Sequence, residues 1–162
     1  MNEMANNIYV KVTGLSQGAI SAGCGTYDSL GNKYQANHRD QILVLQLDHL
    51  ITREQRVNHH AINFFKPIDK SSPLLAMALD SDERLELIFD MYRTSRFGTQ
   101  ELFYTVEARR ATLSKIAIVY PHSIDHSDRQ PEEMISVLYR DITWKHHAAG
   151  TCGYSIWDER AY

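Results

Sequence analysis

Along most of the chain, apolar and polar side chains alternate with a period of two, as strands do when one face meets a core. Near the N-terminus "NNIYVKVTG" sets Ile8, Val10 and Val12 against Tyr9 and Lys11. Gly14 and Gly18 punctuate a turn, and "AISAG" reads as a short second strand or a continuation of the first. "YDSLGNKYQANHRD", rich in Gly, Asn and Asp, reads as a loop. "QILVLQLDH" then reads as one strong strand, with Leu43, Leu45 and Leu47 on one face. Its other face, Ile42, Val44, Gln46 and Asp48, turns polar along its length. The polar "ITREQRVNHH" reads as an exposed hairpin loop leading into "HHAINFFKP".

The strand pattern is interrupted once. "KPIDKSSPLLAMAL" supplies Ser72 as an N-cap, Pro73 at the first helical position, and six strong helix formers from Leu74 to Leu79. Asp80-Ser81-Asp82 ends the run. A helix of about two to three turns is unstable alone and must dock on a sheet. Beyond it, "RLELIFDMYR" aligns Leu85, Leu87, Phe89 and Met91, and "QELFYTVEA" aligns Leu102, Tyr104 and Val106. "TSRFGTQ" is a hairpin-length link between them. "ATLSKIAIVY" and "EMISVLYRDITWKH" read as two more strands, joined by the polar loop "PHSIDHSDRQPE". Seven or so strands and one helix predict a mainly β sandwich or barrel. In the last strand Ile135, Val137 and Tyr139 share one face while Leu138, Ile142 and Trp144 share the other. Apolar residues on both faces imply helix cover or a subunit interface.

Composition narrows the class. A chain of 162 residues with 43% apolar residues fits one domain with a sizeable core. A net charge of −3 gives no basic surplus, which argues against nucleic acid as a partner. Two cysteines, Cys24 and Cys152, are too few for a disulfide scaffold and fit folding in a reducing compartment. "MNEMANNIYV" carries no signal-peptide pattern, and no apolar stretch reaches the ~20 residues that span a bilayer. The expectation is therefore synthesis and folding in the cytoplasm without membrane insertion.

Candidate chemistry is thin. His59-His60 and His146-His147 are adjacent pairs on predicted strands, where neighbours point to opposite faces and do not readily clamp one ion. His122 and His126 have i,i+4 spacing in a loop without a helical pattern or an intervening Glu. These imidazoles read as surface and loop residues, and no metal or cofactor site is expected. Cys24 lies between Gly23 and Gly25 in "SAGCGTYD", a setting open to a nucleophilic thiol, and a small hydrolase using it is one reading. No phosphate-loop, dinucleotide or nucleophile-elbow motif is present, so no catalytic residue is expected.

Taken together, "IYVKVTG", "GAISAGCGTYDSLGNKYQ", "KPIDKSSPLLAMAL", "YRTSRFGTQELFYTVEARRATLSKI", "VYPHS" and "ITWKHHAAGTCGYSIWD" resemble the haemolysin co-regulated protein (Hcp) family of type VI secretion. The resemblance runs from Ala5 to Trp157, and it is specific because the segments keep their order and spacing. It implies a small two-sheet β-barrel with one short α-helix, similar to phage tail-tube proteins, as a single domain over residues 5–162. Residues 1–4 would be an extension or start region, with Met4 a natural start and "MNE" before it the extension. It further implies a structural tube subunit rather than an enzyme. Homohexameric rings would stack inside a contractile sheath, carry a valine-glycine repeat spike at the tip, and hold effector proteins in the lumen. The chain would assemble in the cytoplasm and leave the bacterium on sheath contraction. A phage-type tail-tube protein is the alternative within the same fold. By the same resemblance "ITREQRVNHH" matches a loop that reaches the neighbouring ring, which makes Arg53, Gln55, Arg56 and Asn58 the expected ring-stacking residues. The preceding strand would line the lumen, offering Gln46 and Asp48 to cargo.

Overall fold

The computed structural model describes residues 6–31, 35–126 and 128–157. These form, in order, β1 (Asn7–Gly14), β2 (Gly18–Ala19), α1 (Tyr27–Leu30), β3 (Ile42–Val44), β4 (Gln46–Asp48), β5 (Ile51–Arg53), β6 (Val57–His59), β7 (Ile62–Pro67), α2 (Ser72–Ser81), β8 (Leu85–Thr94), β9 (Gln100–Val119), β10 (Glu132–Leu138), β11 (Asp141–His146) and β12 (Thr151–Ile156). The mainly β class holds, but the described residues make twelve strands and two helices rather than seven or so strands and one helix. Every ladder among them is antiparallel.

Two curved layers share β9. Its first part pairs with β8 on one edge and β11 on the other, and its last part pairs with β10. The hydrogen-bonded order is β2-β1-β8-β9-β10-β7-β4, with β3 on β1 and β12 on β11. The ladders do not close into the expected barrel. Instead the gap is crossed by the chain itself: β3 pairs with β1, β4 pairs with β7, and Leu45 alone separates them. "QILVLQLDH" is thus two short strands in different layers. Ile42 and Val44 face the core while Leu45 is half exposed, so the face expected to be polar carries the buried pair.

Two further boundaries differ for the same reason. The predicted strands either side of Arg109-Arg110 are one 20-residue strand. It bends where Arg110 takes a left-handed φ of 50° and the pairing slips between Leu85 and Leu87. Such a bulge re-aims a strand, here from one layer into the other. Conversely "EMISVLYRDITWKH" breaks at Tyr139-Arg140, and Ile142 turns into the core rather than sharing an outer face with Leu138. The two-sided apolar pattern is largely a record of this change of layer. Tyr9, expected opposite the core, is buried because His38 stacks on it with ring centroids 3.7 Å apart.

The core joins Val10, Val12, Phe64, Leu87, Phe89, Ile135 and Ile142, with Phe64 and Phe89 edge to face at 5.3 Å. Period-2 alternation on β7 turns Ile62, Phe64 and Lys66 inward together, so a lysine is wholly buried. Its cross-strand partner is Glu133, and the Nζ–Oε1 distance is 2.6 Å. Asp69 Oδ1 lies 3.0 Å from the same Nζ. The Ser72 hydroxyl donates to Glu133 at 2.7 Å and accepts from the Asp69 backbone N–H at 3.0 Å. Ser72 is therefore the first residue inside α2 and not its N-cap, a position held by Ser71. The "KPIDKSSP" stretch fastens the helix to β7 and β10 through buried charge. Leu75 and Ala78 then dock α2 on the core beside β9.

Candidate assembly surfaces

β5 and β6 form a separate two-stranded ribbon, registered Ile51↔His59, Thr52↔Asn58 and Arg53↔Val57. Glu54, Gln55 and Arg56 make the turn, with the Glu54 N–H on the Arg56 carbonyl at 3.3 Å. Residues 52–58 are all exposed, so the four expected stacking residues are brought together on one free-standing hairpin. A lone hairpin is at best marginally stable in water, so its root must hold it.

That root is an aromatic and imidazole cluster. Tyr139, the residue after β10, is buried, and its hydroxyl bonds His59 Nδ1 at 2.7 Å and His49 Nε2 at 2.9 Å. His59 Nε2 bonds the Ser155 hydroxyl of β12 at 2.9 Å. Trp157 stacks on His59 with centroids 5.8 Å apart and meets Tyr139 edge-on at 5.0 Å. Burial holds both imidazoles below the ordinary histidine pKa of 6.5, and nearby imidazoles add to the effect. Burial also raises the Tyr139 phenol above its usual 10.0. His59 and His60 do point to opposite faces, but His59 is a buried hub and not the surface imidazole expected. The strand period could place Tyr139 inward; nothing local to His59 marks its partners, which lie 80 and 96 residues away.

Gln46 and Asp48 are exposed on β4, opposite Phe65 and Asn63 of β7. Gln46 Nε2 donates to Asp48 Oδ2 at 3.1 Å. Asp48 also lines a cleft of about 380 Å³ with His49, Leu50, His60, Ala61 and Asn63, beside the hairpin root. The two proposed surfaces therefore adjoin.

The hydrolase reading of Cys24 fails on burial. The thiol is fully enclosed, its Sγ is 3.7 Å from the Ile20 carbonyl, and burial with nearby Asp69 pushes its pKa up to about 11. A neutral thiol shut from solvent is neither nucleophile nor metal ligand. Cys152 on β12 is exposed, and both cysteines are free thiols. Among the described residues no three His, Cys, Asp or Glu side chains are placed to hold a metal ion, and no helix is long and apolar enough to cross a membrane. Large apolar side chains left exposed include Ile118, Val119 and Tyr120 at the end of β9, and Tyr154 and Ile156 on β12.

Residues 9–146 match the family profile described as "Type VI secretion system effector, Hcp". The "Major exported protein" of Pseudomonas aeruginosa is 39% identical, covering 95% of this chain and 96% of that protein. The Escherichia coli K12 protein YhhZ, described as uncharacterized, is also 39% identical over 91% of this chain, which spans only 37% of YhhZ. A solved structure described as an Hcp protein superposes with a TM-score of 0.90 at 32% identity, covering 96% of this chain and 99% of that one. With most of its length inside the family profile, and a relative matched end to end, the chain belongs to the Hcp family, the tube-protein family of type VI secretion systems.

Proposed function

We propose that the chain is a non-catalytic tube subunit. Copies assemble as homohexameric rings in the cytoplasm, and the rings stack into a tube inside a contractile sheath. A valine-glycine repeat spike sits at the tip, and contraction expels the tube with effector proteins in its lumen. The observation that carries this reading is the hairpin: seven consecutive exposed residues stand away from the body on a buried, hydrogen-bonded root. An exposed ribbon held in one direction is suited to reach a neighbour. It lies at one end of β7 and β10, while at the other end, where Glu132 pairs with Pro67, the exposed Val119 pairs with Glu132 and leads into the exposed Tyr120. Surfaces at opposite ends are what a head-to-tail stack requires.

On this reading Arg53, Gln55, Arg56 and Asn58 touch the next ring, and Gln46 and Asp48 face cargo. Export of the chain is supported by its 39% identity to a protein described as a "Major exported protein". The test is Arg53→Glu with Arg56→Glu, followed by sedimentation and negative-stain imaging beside the parent. Single rings without stacks support the assignment. Stacks as long as the parent's overturn it.

A further inference from the structure

Both roots of the hairpin, His49 before β5 and His59 at the end of β6, are tied to one atom, the Tyr139 hydroxyl oxygen. That hydroxyl carries a single proton. While both imidazoles are neutral it donates to one ring and accepts from the other, and every bond is satisfied. When both rings are charged, both bonded nitrogens are donors. The phenolic proton then loses its acceptor, and two positive charges face one another across one oxygen, about 6 Å apart or less. We propose that His49 and His59 form an acid-sensitive latch, whose protonation frees the β5–β6 hairpin from Tyr139 and thereby releases the ring-to-ring contact. The second half of this statement rests on the hairpin being that contact.

Burial is the largest influence on both rings and outweighs the backbone hydrogen bonds, at His60 for His49 and at Ile156 for His59, that favour their charged forms. From β6 the next group is His60, a like charge when protonated, which acts on both rings. β12 contributes the neutral Ser155, and Trp157 the neutral indole. The carboxylate lining the cleft beside His49 is Asp48, whose Oδ2 accepts from Gln46. Arg53, Glu54 and Arg56 sit at the hairpin tip, beyond the Thr52–Asn58 pair. The charged residues next along the chain, Asp158, Glu159 and Arg160, lie outside the described residues. Because burial lowers both histidine pKa values, the latched form binds fewer protons than the opened one. Its stability is full above the ordinary value of 6.5 and is lost as pH falls below that value toward the lowered ones.

The experiment uses the full chain with Trp144→Phe, leaving Trp157 as the emitter stacked on His59. Emission is followed from about pH 7.5 to about pH 5, the range in which histidine titrates. Hydrogen exchange of residues 50–58 is read in the same samples and corrected for the pH dependence of chemical exchange. The latch predicts one emission transition with its midpoint below 6.5. Hairpin exchange, so corrected, should rise as pH falls through that midpoint. In His49→Gln with His59→Gln both responses should flatten. Tyr139→Phe keeps both imidazoles and removes the shared hydroxyl, so its hairpin should exchange fast already at the upper pH, without a further rise. Flat hairpin exchange in the parent, or a response surviving the double histidine change, overturns the latch. Stack length in the same buffers separates the two readings. An opened hairpin with unchanged stacks, in a protein that Arg53→Glu with Arg56→Glu does disperse, rejects release of the ring contact. Stacks indifferent to both treatments reject the hairpin as that contact and leave the latch to the exchange data.

Discussion

Replacing Lys66 by Met tests whether buried charge fastens α2 to the sheet. Lys66 Nζ lies 2.6 Å from Glu133 Oε1, 3.0 Å from Asp69 Oδ1 and 3.1 Å from Ser72 Oγ, and the side chain is wholly buried. Methionine matches its shape but removes the charge, leaving two carboxylates enclosed with no cation. Breaking a buried pair in this way costs about 3–5 kcal/mol, against about 5–15 kcal/mol for a whole domain. Lost methylene packing is excluded by the choice of Met. At a slope of about 2 kcal/mol per molar urea the midpoint should fall by about 1.5–2.5 M at fixed protein concentration. The second arm adds Glu133→Gln. A neutral amide oxygen still accepts from the Ser72 hydroxyl, so Lys66→Met with Glu133→Gln should recover about 1–3 kcal/mol relative to Lys66→Met alone. Lys66→Met costing under about 1 kcal/mol, or a double variant less stable than the single, would refute the reasoning.

Other positions make independent tests. A Cβ on Gly25 would stand 1.9 Å from the His38 carbonyl oxygen, so Gly25→Ala should cost about 1–3 kcal/mol by urea unfolding. A thiol reagent applied to native protein near neutral pH should label Cys152 alone; Cys24, buried with its pKa up near 11, should react only after unfolding, which mass spectrometry resolves. Asp48→Lys on exposed β4 should change cargo retention in pull-downs while rings persist, whereas loss of the rings would show Asp48 to be structural.

The alternating strands were legible where one face stays in one layer throughout: Val10 and Val12 on β1, and Leu85, Leu87 and Phe89 on β8. The helix and the hairpin were legible too, from Pro73 with the following apolar run and from the polarity of residues 52–58. What failed were the places where the chain changes layer, at Leu45, Arg110 and Tyr139. There the boundary is decided by which distant strand accepts the hydrogen bonds, and period-2 patterning is blind to that. β12 escaped notice because Thr151, Cys152, Gly153 and Tyr154 are all exposed, so it shows little alternation. His59 misleads for a related reason: a titratable side chain reads as surface until its partner, Tyr139, arrives from far along the chain.

Whether this chain builds a tube from rings is a question of its mass and shape in solution. Size-exclusion chromatography with light scattering, followed by negative-stain imaging of the main peak, addresses it most directly. A tube subunit should show a mass near six times the 18.6 kDa subunit, or multiples of it, and six-fold rings, single or stacked. A monomer at every protein concentration, with no rings in any image, would contradict it.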